Sequence, residues 1–95
     1  MIEAEPKTIL KNVKAMIEHW KAHFIKECSV DLNCPTSKEY PDAADFFEMT
    51  LTMLLNQYPN VSYEFTKDPV HRILWLTLEF DDESFEMIDN RIRVF

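Results

Sequence analysis

His19 and His23 stand four residues apart and Glu27 follows four later, so a helix would carry two imidazoles and a carboxylate along one line. With Cys28 or Cys34 added, that set has the donor types of a tetrahedral zinc site. Two departures weigh against it. The helical metalloprotease pattern needs glutamate directly after its first histidine, and that place holds Trp20. Cys28 and Cys34 are separated by five residues, wider than a zinc knuckle allows. Two half-exposed histidines beside an apolar stripe account for the pattern more simply, so we expect no metal and no cofactor.

Nucleophilic chemistry would need Cys28 or Cys34 beside a histidine, or Ser84 with His71. Neither pair sits in a recognisable motif. The chain has no glycine, which makes an oxyanion hole of backbone amides hard to shape. Thiols buried as small hydrophobes are the plainer expectation. Lack of glycine also excludes the Gly-rich phosphate loops, because backbone amides close around a pyrophosphate only where no Cβ intervenes. The Gly-flanked serine turn drops out for the same reason. We expect no enzymatic activity. Left-handed turns and caps should fall to Asn or Asp, or be avoided.

The carboxylates are the more informative groups. Glu39, Asp42, Asp45 and Glu48 recur every third residue. Glu79, Asp81, Asp82, Glu83, Glu86 and Asp89 then place six acids in eleven residues with no base among them. Neighbouring carboxylates on one face lie ~5–6 Å apart, similar to phosphates along a nucleic-acid strand. Such a surface suits the basic groove of a nucleic-acid-processing protein; a solvated face that maintains solubility is the alternative. A calcium loop over 81–83 would need alternating ligands and a glycine at its bend, and has neither.

The elements that must position these groups follow from periodicity. Residues 6–27 read as an amphipathic helix opened by Pro6, with Glu3 and Glu5 at its positive end. Ile9, Leu10, Val13, Met16, Ile17, Trp20, Phe24 and Cys28 form the apolar stripe; Lys7, Lys11, Lys14, Glu18 and Lys21 lie opposite. Residues 28–41 read as a loop, in which Thr36 and Glu39 have capping-box spacing. A second helix over 42–57 buries Phe47, Leu51, Leu54 and Tyr58, with Phe46, Met49 and Met53 widening the stripe and Pro59 ending it.

From Asn60 the period switches to two. Val61, Tyr63 and Phe65 alternate with polar residues, 67–69 is turn chemistry, and Leu74, Leu76, Leu78 and Phe80 follow. Ile73 and Trp75 make that strand apolar on both faces, as in a central strand. The last segment reads as a hairpin, 85–88 with 91–95, opposing Phe85 to Val94, Met87 to Ile92 and Glu86 to Arg93. A short helix over 83–90 is the competing reading. The fold class is therefore α+β: two N-terminal helices packed on a three- or four-stranded antiparallel sheet.

At 95 residues and 46% apolar, with seven Phe, three Tyr and two Trp, one domain with one core is expected. The acidic start and the lack of a long apolar run point to a soluble, cytoplasmic protein with free thiols and no membrane partner. Residues 1–28 carry five Lys against four acids; 29–95 carry five bases against thirteen. The net charge of −7 thus falls after the first helix, repelling nucleic acid and favouring a basic protein partner. In size and charge the chain is similar to small acidic inhibitor and immunity proteins that bind a basic nuclease or nucleic-acid-binding partner.

These readings converge on a non-enzymatic acidic protein-binding module, in its sharpest form an inhibitor that mimics nucleic acid. Its binding residues would be Glu39, Asp42, Asp45, Glu48, Asp81, Asp82, Glu83, Glu86 and Asp89, with Tyr40 or Trp75 as aromatic anchors. The alternative is a small structural or regulatory subunit that self-associates as a homodimer, through apolar surface left on the sheet or lysines of the first helix meeting the acids of a second copy.

Overall fold

The computed structural model describes residues 3–81 and 91–95. It contains α1 (Pro6–Cys28), α2 (Glu39–Leu55), β1 (Val61–Asp68), β2 (Ile73–Phe80) and β3 (Arg91–Arg93). The strands form one antiparallel sheet in the order β1-β2-β3, and the two helices pack on it. The chain is α+β, with three strands among the described residues rather than four. The expected hairpin strand over 85–88, its pairings to Val94, Ile92 and Arg93, and the competing helix lie outside the described residues. Arg91–Arg93 is a strand, and its neighbour is β2: Arg93 opposes Trp75, Ile92 opposes Leu76 and Arg91 opposes Thr77.

α1 begins as its sequence predicts, with Pro6 in the first turn, where its missing N–H has no helical acceptor to lose. Ile9, Val13 and Ile17 are buried and Leu10, Met16, Trp20 and Phe24 pack half-buried around them. Cys28, expected to complete the stripe, is exposed. The helix stops at Cys28, where Ser29 takes a left-handed conformation and the Val30 amide returns to the Phe24 carbonyl at 3.0 Å.

α2 starts three residues earlier than expected. The Thr36 hydroxyl accepts from the Glu39 amide at 3.2 Å, and the Glu39 carboxylate accepts from the Thr36 amide at 2.9 Å. That reciprocal capping box satisfies two amides and launches the helix through Pro41, which sits in the first turn where no amide is needed. Tyr40, Ala43, Ala44, Phe47, Leu51 and Leu55 form the buried face. Met49 and Met53, expected to widen it, are 59% and 67% exposed.

The strand period holds. Leu74, Leu76 and Leu78 of β2 have no exposure, as the central strand's helix-facing row. β1 pairs with β2 residue for residue from Val61 opposite Phe80 to Asp68 opposite Ile73. The hairpin loop closes with Arg72 at φ 57°. The two left-handed positions among the described residues, Ser29 and Arg72, thus fall on residues other than the expected Asn or Asp. Helix termination and strand closure fix the backbone there, at ~1–2 kcal/mol for a residue with a Cβ.

One run of rings joins the layers. Trp20 meets Phe46 with centroids 4.9 Å apart; Phe46 and Phe24 meet Phe47 at 5.7 and 6.0 Å. Phe47 meets Phe95 at 5.4 Å, and Phe95 meets Tyr40 at 5.9 Å. Phe47→Ala removes the middle of this run and is expected to cost about 3–5 kcal/mol, read as a lowered urea midpoint. A loss below about 1 kcal/mol would show that the rings do not hold the helices to the sheet.

Candidate protein-binding surface

α2 lies over the sheet with its buried face set by Phe47, Leu51 and Leu55. Asp42, Asp45, Met49 and Met53 follow at spacings of three and four and so share one line along the helix. All four are exposed. The line presents two large flexible apolar side chains continued by two carboxylates. In the sequence Met49 and Met53 group with Phe46 as a widening of the apolar stripe. Their spacing from Asp42 and Asp45 was the signal that would have placed them outside.

The four evenly spaced acids of α2 do not act as one row. Glu39 is committed to the capping box. Lys67 reaches up from β1 to Glu48 at 2.8 Å and to Asp45 at 3.5 Å. Asp42 engages no described residue. The Glu48 carboxylate, with a smaller contribution from Asp45, holds the Lys67 ammonium protonated above the ordinary lysine range. While the carboxylates are ionised, a cation held this way stabilises the fold in full below the unfolded lysine pKa, and the contribution fades as pH rises through the raised one.

Of the second acidic group, Asp81 is exposed at the end of β2, its amide bonded to the Asn60 carbonyl at 3.1 Å. Asp82, Glu83, Glu86 and Asp89 lie outside the described residues. Tyr40, early in α2, donates its hydroxyl to the carbonyl of Ile73 at the opposite end of β2. An eight-residue strand spans roughly 26 Å, so Asp81 and the start of α2 belong to different ends of the molecule. Asp81 and the α2 acids are two patches.

Tyr40 is not an exposed anchor: it is 4% exposed, and its hydroxyl bond ties α2 to β2. Burial raises its phenol above the usual range, with the Asp68 backbone amide acting in the opposite direction. Trp75 stands half-exposed on the sheet face away from the helices, with the Arg91 guanidinium 4.1 Å from its ring centroid. Glu64 and Glu79 share that face by register with Thr77 and Ser62. In the β1–β2 loop Asp68 accepts from the His71 amide at 3.1 Å and lies 2.9 Å from its ring Nδ1. Those contacts, the backbone amide first, hold the Asp68 carboxyl below its ordinary range.

The remaining chemistry-bearing residues stay apart. His19 and His23 are exposed, each edge-on to Trp20 at 5.1 Å. Cys28 and Cys34 are free and exposed, which corrects the expectation of buried thiols. Among the described residues no three His, Cys, Asp or Glu side chains are grouped as a metal would need, and no helix is long and apolar enough to cross a membrane. An open hollow of about 430 Å³ is lined by Glu3, Ala4, Glu5, Pro6, Pro59 and Asn60; the Asn60 amide group donates there to the Ala4 carbonyl at 3.2 Å. The chain matches no protein-family model, and no curated protein or solved structure is significantly similar to it.

Two consequences of this geometry are measurable. Thr36→Ala removes one half of the capping box and is expected to cost about 1 kcal/mol, whereas a neutral result would mean the helix starts without it. Tyr40→Phe removes a group that favours its neutral form in the fold. Wild-type stability should therefore be constant below the unfolded phenol pKa and fall as pH rises through the raised one, and the variant should lose that alkaline decline. Unfolding midpoints measured between pH 8 and 11 check it; parallel profiles would refute it.

Proposed function

We propose that this chain is a non-enzymatic protein-binding module whose recognition surface is the exposed line of α2, Asp42, Asp45, Met49 and Met53, and whose partner is a basic protein. One observation carries the reading: two large apolar side chains, 59% and 67% exposed, stand one turn apart beside carboxylates on a helix otherwise packed into the core. Methionine is unbranched and polarizable, and suits surfaces that mould themselves to a partner. The carboxylates add steering, and with a net charge of −7 they favour encounter with a positively charged surface.

The narrower form, an inhibitor that mimics nucleic acid, draws its support from the overall charge and from Asp81 at the sheet's end. Lys67 neutralises the middle of the α2 row, so mimicry would need the acids of 79–89 as well. The methionines favour a protein surface with an apolar strip flanked by lysine or arginine.

The test is capture of binding proteins from the source cell's lysate across a salt series. Beside wild type would run an Asp42→Lys, Asp45→Lys variant and a Met49→Ser, Met53→Ser variant. A basic protein retained by wild type, lost on raising salt and retained at least tenfold less by both variants is the expected result. A partner indifferent to all three changes overturns the α2 surface. Release of the captured partner by duplex DNA would add the mimic reading, and its retention would remove it.

A further inference from the structure

Among the described residues the sheet ends on one side at β1. Its eight residues pair one-for-one with β2, with no bulge and no proline among them. The bond from the Asp81 amide to the Asn60 carbonyl sets the phase of that ladder. By the alternation of antiparallel pairs, Ser62, Glu64, Thr66 and Asp68 bond inward, while Val61, Tyr63, Phe65 and Lys67 turn N–H and C=O outward. No described residue bonds to those outward groups. Natural edges are usually blunted by a bulge, a proline or an unpaired inward charge, and here the one charge on the helix side, Lys67, is engaged by Glu48 and Asp45.

The side chains repeat the message of the backbone. Val61, Tyr63 and Phe65 face the helices, yet all three stay half-buried, while Leu74, Leu76 and Leu78 on the neighbouring strand are enclosed. α2 meets β1 through the Lys67–Glu48 ion pair and the bond from the Tyr63 hydroxyl to Asn56, yet leaves the three apolar side chains of that edge partly open. Unbonded backbone and incompletely covered aromatic surface therefore coincide along one edge.

We infer that this edge pairs with the same edge of a second copy, antiparallel about a two-fold axis at Phe65, extending the sheet from three strands to six. Opposed residues in such a pair must share a face, which restricts the register to steps of two. An axis at Glu64 would set two carboxylates against each other. An axis at Tyr63 would overlap the two strands only over 61–65, whereas an axis at Phe65 overlaps them over 62–68.

With the axis at Phe65, the two Phe65 rings meet, Tyr63 opposes Lys67 and Glu64 opposes Thr66. Ser62 then opposes Asp68. No like charges are opposed, and about six main-chain hydrogen bonds form. The strand is thus complementary to itself in charge and shape, which is the reason for choosing a second copy over an unrelated peptide. Because each copy carries −7, the pairing should strengthen as salt screens the repulsion, opposite in sign to capture of a basic partner by α2.

Sedimentation velocity on the full chain, from ~10 to ~500 µM at low and high salt, reads this directly; standard interfaces bury more than one strand edge does, so a micromolar dimer is expected. Wild type should double its mass as concentration rises, at lower concentration in high salt. Phe65→Lys sets two ammonium groups at the axis, and Tyr63→Pro removes an outward amide that the monomer does not use. Each should shift half-association at least tenfold upward while keeping the far-ultraviolet circular dichroism.

Should Tyr63→Pro unfold, oxidative crosslinking decides the register in a background with Cys28 and Cys34 replaced by serine. Phe65→Cys should crosslink to a dimer, since opposed Cα atoms lie ~5.5 Å apart, and Glu64→Cys should crosslink far less. A wild type that stays monomeric throughout overturns the inference. So does a dimer unaffected by Phe65→Lys, or one that crosslinks better through residue 64.

Discussion

Phe47 is the side chain on which the rest of the structure depends. It has no solvent exposure and packs its ring against Phe24, Phe46 and Phe95, which belong to α1, α2 and the segment after β3. An aromatic ring buries a large apolar area and adds a geometric preference for edge-on contacts. The partners of Phe47 therefore hold orientations as well as positions. The fully buried side chains of the central strand are leucines, which carry no such preference, so these rings set how the helices lie on the sheet.

The rotation of α2 follows from that contact, and the candidate surface follows from the rotation. Once Phe47, Leu51 and Leu55 face inward, the line through Asp42, Asp45, Met49 and Met53 must face outward, because a helix has only one turn per 3.6 residues to distribute. Glu48 falls at the boundary and meets Lys67 from β1. That ion pair is exposed and contributes little by itself. Its structural effect is to offset one charge in the middle of the four α2 carboxylates and so break any uniform acidic row.

Two different kinds of unsatisfied surface result. On α2 the unsatisfied groups are side chains, apolar and acidic together, and complementarity there is a matter of charge and shape. On β1 they are main-chain amides and carbonyls beside half-covered aromatics, and complementarity there is a matter of register. The open face of the sheet is a third region, where Arg91 lies over Trp75 and so lowers the apolar area that the ring would otherwise present.

The sequence by itself determined the element types and most of their faces. The three-four spacing of Ile9, Val13 and Ile17 and the alternation of Leu74, Leu76 and Leu78 each bury the expected row, because periodicity is a local consequence of backbone geometry. The capping box of Thr36 and Glu39 was legible for the same reason, although its consequence, a helix running through Pro41, was not. Tertiary structure alone decided that Tyr40 is a buried strut, that Met49 and Met53 lie outside and that Lys67 pairs with Glu48 beside Asp45. It also decided that Ser29 and Arg72 take the left-handed turns. Each of these depends on which neighbour, distant in sequence, happens to cover a given side, and a one-dimensional pattern contains spacing along the chain but not the identity of what packs across it.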